Sequence, residues 1–291
     1  MKWEGGRESD RLEDRRRISP KTAALGGGGA LIILLLGYVL GVDPRLLNQF
    51  VANANIGREG GAGGGEQRPL TPAEERTRRF TATILGFTEE VWEEQFRRIN
   101  ERYQPPKMVL FADRVDTACG SAPSAVGPFY CPADRTVYLD PTFFEELERK
   151  LGGSKAEFSQ AYVIAHEVGH HVQNLLGYSR LVDEKRRTLP KAEYNKWSVR
   201  LELQADYLAG VWAHHGQKKF KFIEPGDVEA AIRSANAIGD DRLQKNSTGF
   251  VSPESFTHGT SEQRKKWFLR GLQTGDLADI KKLFDLPYDE L

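Results

Sequence analysis

The amino-acid sequence predicts a helix-rich α+β fold with a small β-sheet, preceded by one N-terminal transmembrane helix. Three observations lead there. An uncharged run from Thr22 to Val42 is long enough to cross a bilayer. From Thr71 onward most of the chain carries apolar residues at helical spacing, punctuated by Pro and Gly. Between Lys107 and Leu139 the period shortens to that of strands.

The chain has 291 residues, enough for one large domain or two modest ones. Its 41 basic and 41 acidic residues cancel. With no basic excess and no basic cluster in the domain, nothing favours nucleic acid as a partner. Histidine is scarce, six in all, and three lie between positions 166 and 171. Two cysteines are too few for a disulfide-built scaffold.

The apolar run centres on Ala30–Leu36. As a helix its 21 residues rise about 31 Å, close to a hydrocarbon core of about 30 Å. Gly26 to Gly29 weaken the helix, although membrane spans tolerate glycine better than water-soluble helices do. Arg15, Arg16, Arg17 and Lys21 precede the run, and only Arg45 follows it before Arg58. The positive-inside rule then gives a cytoplasmic tail (1–21), an anchor in the lipid bilayer (22–42) and an extracytoplasmic remainder. A cleaved signal peptide is the competing reading, with Ala52-Asn53-Ala54 as the cleavage site. The length of the run and its distance from that site favour the anchor. Gly37 and Gly41 form a small-xxx-small pair that could join two spans into a homo-oligomer, though chance glycine content explains it equally. Residues 43–70, glycine-rich from Gly57 to Glu66, read as a flexible linker, and the domain occupies 71–291.

Thr71-Pro72 opens a helix to Leu85, and Thr88 a second to Arg102, ended by Pro105-Pro106. Lys107–Ala112, Gly127–Tyr130 and Thr136–Leu139 read as strands, the last two as a hairpin. Cys119 and Cys131 bracket a Gly/Ser/Pro-containing loop. Outside the cytoplasm they are expected as a disulfide rather than two thiols, stabilising by roughly 3 kcal/mol. Asp140-Pro141 caps a short helix to about Leu151. Ser154-Lys-Ala-Glu157 reads as a capping box for a helix ending near Leu176, with Gly177 as its stop. A long helix follows from Pro190 to His214, ended by Gly216; later helices span Asp227–Ile238 and Ser261–Leu272.

The helix that ends near Leu176 contains His166-Glu167-Val168-Gly169-His170. Residues four apart share a helix face, so two imidazoles there can converge on one zinc ion. Glu167 stands beside the metal without being spent as a ligand, placed to act on a water. Two histidines leave a third protein ligand to be found. Glu202 and Asp206 lie one turn apart on the flank of the next long helix's apolar stripe. Packing the two stripes together brings Glu202 toward His166 and His170. Asp206 could then accept a hydrogen bond from a ligand histidine. An ordinary carboxylate pair on a solvated face is the alternative. His171 is turned about 100° away from His170 and suits a supporting or surface role. His214 and His215 fall at a helix end and read as solvated.

His-Glu-x-x-His followed by Glu202-Leu-Gln-Ala-Asp206 resembles the gluzincin branch of the zincin metallopeptidases. More narrowly, the chain resembles the bacterial putative neutral zinc metallopeptidase family of single-pass membrane proteins. The segments that carry this are Met1–Gly5 with Glu13–Arg16, Cys119–Gly120, Phe129–Arg135, Val137–Asp140, Asp240–Gln244 and Phe256–Ser261. Nearly the whole chain is covered. The resemblance implies a zincin-like fold, Zn2+ as cofactor, Glu202 as the third ligand, Asp206 behind the ligands, and a peptide or protein substrate. The reaction expected is hydrolysis of peptide bonds with Glu167 as general base. His258, arriving from a late loop, could donate a hydrogen bond to the developing oxyanion, or could merely tie that loop down. The alternative function is a zinc-stabilised, membrane-anchored binding or scaffold protein with little turnover.

Overall fold

The structure, a computed structural model, describes residues 1–16, 69–248 and 250–291. Strand β1 (Leu12–Asp14) comes first, then the helix α1 (Pro72–Arg98). Strand β2 (Lys107–Leu110) is followed by a hairpin of β3 (Arg114–Thr117) and β4 (Gly120–Pro123), then β5 (Phe129–Cys131) and β6 (Thr136–Leu139). The rest is helical: α2 (Phe143–Leu151), α3 (Glu157–Leu175), α4 (Tyr178–Thr188), α5 (Lys191–Phe220), α6 (Asp227–Ala237), α7 (Asp240–Thr248) and α8 (Ser261–Thr274). Short helical turns close the C-terminal end. A helix-rich α+β architecture with small sheets is what the sequence predicts.

Helix α5 is the centre of the packing. Every position from Leu203 to Ala213 is buried, because that stretch is apolar or small on nearly all faces. Helices α3 and α8 cross it at close range, and glycines make both crossings. A Cβ on Gly169 of α3 would lie 3.1 Å from the Ala205 carbonyl oxygen. At the α5–α8 crossing the fit is reciprocal. A Cβ on Gly210 would meet the Phe268 carbonyl at 2.2 Å, and one on Gly271 would meet the Tyr207 carbonyl at 2.1 Å. Gly271→Ala is therefore expected to destabilise the protein by about 1–3 kcal/mol, because backbone, not a pliant side chain, blocks the methyl. A urea midpoint equal to wild type would contradict so tight a crossing.

The four-stranded sheet has the order β1-β2-β6-β5, with β1, β2 and β6 parallel and β5 antiparallel to β6. Met108, Leu110, Val137 and Leu139 face the main core. Val109, Phe111 and Tyr138 point the other way, into a smaller cluster with Val115 and Cys131. Covering on both faces explains why Lys107–Ala112 is apolar almost without alternation. The predicted disulfide is present between Cys119 and Cys131, tying the β3–β4 turn to β5.

Several boundaries differ from expectation. The two helices predicted over 71–102 are one. Thr88 does not cap a new helix; its hydroxyl donates to the Leu85 carbonyl inside the continuous one. Gly86 is not a break but a notch where the Arg7 carbonyl approaches. Helix α5 runs past Gly216, whose missing side chain makes room for the Phe222 ring. The capping box at Ser154 does not form. Ser154 accepts from the Ala156 amide, and Glu157 pairs with Arg76 instead. Asp140 does hold the start of α2, accepting from the Thr142 amide and hydroxyl.

The largest correction concerns the chain's beginning. Residues 1–16 are not a separate tail, and the domain does not start at 71. Strand β1 is part of the sheet, and Trp3 is buried against Phe80. Among the described residues no helix is long and apolar enough to cross a membrane. The predicted span 22–42, its Gly37/Gly41 pair and the linker through residue 68 lie outside the described residues.

Candidate metal centre

Helix α3 presents His166 and His170 on the face turned toward α5, and α5 presents Glu202 in return. His166 Nε2 lies 3.3 Å from one Glu202 carboxylate oxygen, and His170 Nε2 lies 3.5 Å from the other. One ligand atom from each of the three residues can be chosen so that all lie within 4.8 Å of one another. The Gly169 crossing is what lets α5 come near enough for Glu202 to reach.

Both imidazoles are oriented from behind. His166 donates from Nδ1 to Asp206 at 2.9 Å, and His170 donates from Nδ1 to the Gln173 side-chain carbonyl at 2.8 Å. With Nδ1 engaged in this way, each Nε2 is turned toward the shared centre, where Glu202 lies. Gln173 is itself fixed by donating to the Leu201 carbonyl of α5. Asp206 is fully buried and is the hub of a larger network. It accepts two hydrogen bonds from the Arg264 guanidinium, at 2.8 and 2.9 Å, and another from the Tyr162 hydroxyl. Arg264 comes from α8, so three helices converge on one carboxylate.

The charges respond accordingly. Burial alone would lower the His166 pKa, but Asp206 and Glu202 override it and hold the imidazole up at about 10. Burial likewise opposes a charged His170, and the Glu202 carboxylate reverses the sign. Glu202 stays well below the ordinary carboxylate range despite burial, because both histidines face it. Asp206, buried beside Arg264 and His166, is held down at about 2. The pocket is thus built to favour positive charge. Two imidazole nitrogens and one carboxylate oxygen, converging with held tautomers, are a donor set that fits Zn2+. Zn2+ held by these three residues would keep one coordination position for water or substrate.

Glu167 stands apart from these four. Its side chain is buried, and no hydrogen bond or ion pair to it is found among the described residues. Burial raises its pKa, and the nearby histidines only partly oppose that. His258 is brought to the same region on the loop before α8. Asp240 accepts from its Nδ1 at 3.0 Å and also from the amides of Thr257, His258 and Gly259. Burial disfavours charge on His258, but Asp240 and the Glu202 carboxylate raise its pKa. His258 is not part of the three-ligand cluster.

The chain belongs to the family described as putative neutral zinc metallopeptidase. The family's sequence profile matches residues 1–283. A relative in Escherichia coli K12, the uncharacterized protein YpfJ, is 45% identical over 288 residues, covering 96% of this chain and 97% of its own. The uncharacterized protein Rv2575 of Mycobacterium tuberculosis H37Rv is 45% identical over 183 residues, covering 60% of this chain and 61% of its own. No solved structure matches. Membership of a family so described fits the convergence of His166, His170 and Glu202 as a possible metal site.

The remaining histidines have other duties. His171 is fully buried. It donates from Nε2 to the Gln104 carbonyl at 2.6 Å, and its Nδ1 accepts from the Tyr130 hydroxyl at 2.9 Å. It therefore binds α3 to strand β5 as a neutral ring. Burial lowers its pKa from 6.5 to about 4. The sign follows: a depressed pKa means that neutral His171 stabilises fully above about pH 6.5, and that this contribution is lost as pH falls toward 4. Its size is roughly 3 kcal/mol at 1.36 kcal/mol per pKa unit. Urea midpoints should drop over that window, and the His171 ring proton resonance should not titrate near pH 6.5. A titration there would remove this contribution. His214 and His215, expected at a solvated helix end, instead lie within α5, half-buried, and bond the Leu272 and Gly275 carbonyls at the end of α8.

Arg264, Tyr162, Gln173 and Asp240 are the supporting residues that pattern reading did not assign. Gln173 had a local signal, lying three positions after His170 on the same helix face. Arg264 had none, because a basic residue among Ser261-Glu-Gln-Arg-Lys-Lys266 reads as solvated surface.

Proposed function

We propose that the protein is a zinc-dependent peptidase that hydrolyses peptide bonds on the extracytoplasmic side of a membrane, attached through residues 22–42. The observation that carries the reading is the convergence of His166, His170 and Glu202 beside a buried Glu167 to which no hydrogen bond or ion pair is found among the described residues. Zinc, when bound, supplies the Lewis acidity that polarises a scissile carbonyl and acidifies a water. Glu167 takes the proton from the attacking water and returns it to the leaving amine. Its raised pKa suits a group that must hold the proton between those two steps. Asp206 and Gln173 keep both ligand imidazoles in one tautomer throughout. His258, oriented by Asp240, donates a hydrogen bond to the developing oxyanion.

Strand β5 pairs with β6 on one side only among the described residues, and Tyr130 links it to α3. Its other edge offers backbone groups on which an extended peptide can lie. The Cys119–Cys131 disulfide supports an oxidising compartment. The test is metal content together with hydrolysis of an unfolded protein substrate by the full chain. One zinc per chain, chelator-reversible cleavage and loss of zinc in His166→Ala are expected. Less than one zinc in wild type with no change in His166→Ala would sink the site. Stoichiometric zinc without any cleavage would favour the binding or scaffold role.

A further inference from the structure

The N-terminal residues are docked on the body in a way that bears on how the chain meets a membrane. Helix α1 is shaped to receive them. A Cβ on Gly86 would lie 2.4 Å from the Arg7 carbonyl, and one on Gly6 would lie 2.6 Å from Phe87 and Thr83. Glu89 of α1 is buried, and its hydrogen-bonding and ion-pair partners are Arg7, Ser9 and Arg11. Without residues 1–16 that carboxylate would lose all its partners among the described residues, at a cost of about 1–3 kcal/mol. Trp3 is 4% exposed, and Arg76 lies over its ring at 5.0 Å. Strand β1 pairs in parallel with β2 through Leu12, Glu13 and Asp14. If β1 left, β2 would become an unpaired sheet edge with apolar residues, a recognised aggregation hazard.

The two ends of the intervening segment also meet. The Arg16 guanidinium donates to the Glu74 carbonyl at 2.9 Å, so the chain leaves the body and rejoins it at neighbouring points. A single crossing at 22–42 would put residues 1–16 and 69–291 in different compartments and undo every contact above. The charge argument for a cytoplasmic tail is weakened by the same contacts. Of the four charges behind it, Arg15 pairs with Glu13 and Arg16 with Asp14, so the fold itself accounts for these two.

We propose that residues 1–16 and the metal-bearing body lie on the same side of the bilayer. The inference is independent of peptidase activity. It replaces the cytoplasmic tail expected from charge bias alone.

The experiment uses the full chain in its native membrane, with one cysteine added at a time by Glu4→Cys or Glu262→Cys. These side chains are 72% and 80% exposed, and neither touches the metal centre. A membrane-impermeant maleimide is applied to intact cells with any outer barrier removed, and again after permeabilisation. Both positions are expected to label before permeabilisation. Labelling of both only afterwards would keep them on one side and overturn the extracytoplasmic placement alone. Labelling of Glu262→Cys before and Glu4→Cys only after would overturn the proposal.

Discussion

Glu167→Gln is expected to lower kcat/KM for peptide hydrolysis by about 10²–10⁴-fold while leaving zinc stoichiometry at the wild-type value. The substitution keeps the side chain's shape and removes only its ability to accept a proton. Zinc should be retained because the ligand set is His166, His170 and Glu202, and none of these depends on Glu167 for orientation. His166 is held by Asp206 and His170 by Gln173. Folding should not suffer, since the carboxylate has no partner to lose among the described residues. Amide and carboxyl both remain buried, so the change in stability stays small. Steady-state cleavage and metal analysis on the same preparation check both halves. A variant within tenfold of wild type would exclude Glu167 as the general base. A variant that lost zinc would show that it acts on the metal instead.

Arg264→Leu is expected to cost about 3–5 kcal/mol of stability and to weaken zinc binding by about 10–100-fold. Arg264 is 2% exposed and Asp206 is fully buried, so water does not replace the guanidinium when it is removed. Asp206 would remain a buried carboxylate with Tyr162 and His166 as its donors. Losing the α8 anchor would let the carboxylate shift, and the His166 ring with it. The effect on zinc should therefore appear in chelator competition even where the variant stays folded. Asp206→Asn provides a second measurement, because it removes the charge that Arg264 neutralises while keeping the side chain's shape. The double variant should cost less stability than the sum of the singles, since both act on one buried pair. Strict additivity would mean that the pair is not coupled.

The metal centre was largely legible in the sequence because its ligands are local patterns on two helices. His166 and His170 are one turn apart, and Glu202 and Asp206 are again one turn apart, each pair on the flank of an apolar stripe. The disulfide followed from two cysteines bracketing one loop. What the sequence concealed depends on distant partners. Strand β1 has three residues and pairs with a strand that begins at Lys107, so no local period announces it. Thr88 reads as a cap because hydroxyls favour caps, yet here it bonds to the Leu85 carbonyl within one continuous helix. Arg264 reads as surface until α8 is seen to press it against Asp206.

The Gly169 crossing narrows the sequences that can carry this centre. In the pattern His-Glu-x-x-His the two middle positions are commonly treated as free. Here the first, Val168, is fully buried, and the second has the Ala205 carbonyl oxygen 3.1 Å from where its Cβ would be. A saturation library at 168 and 169 should therefore return mostly apolar residues at the first and only glycine and alanine at the second. The working signature of this site is longer and stricter than its metal ligands alone suggest, because its spelling includes the space between two helices.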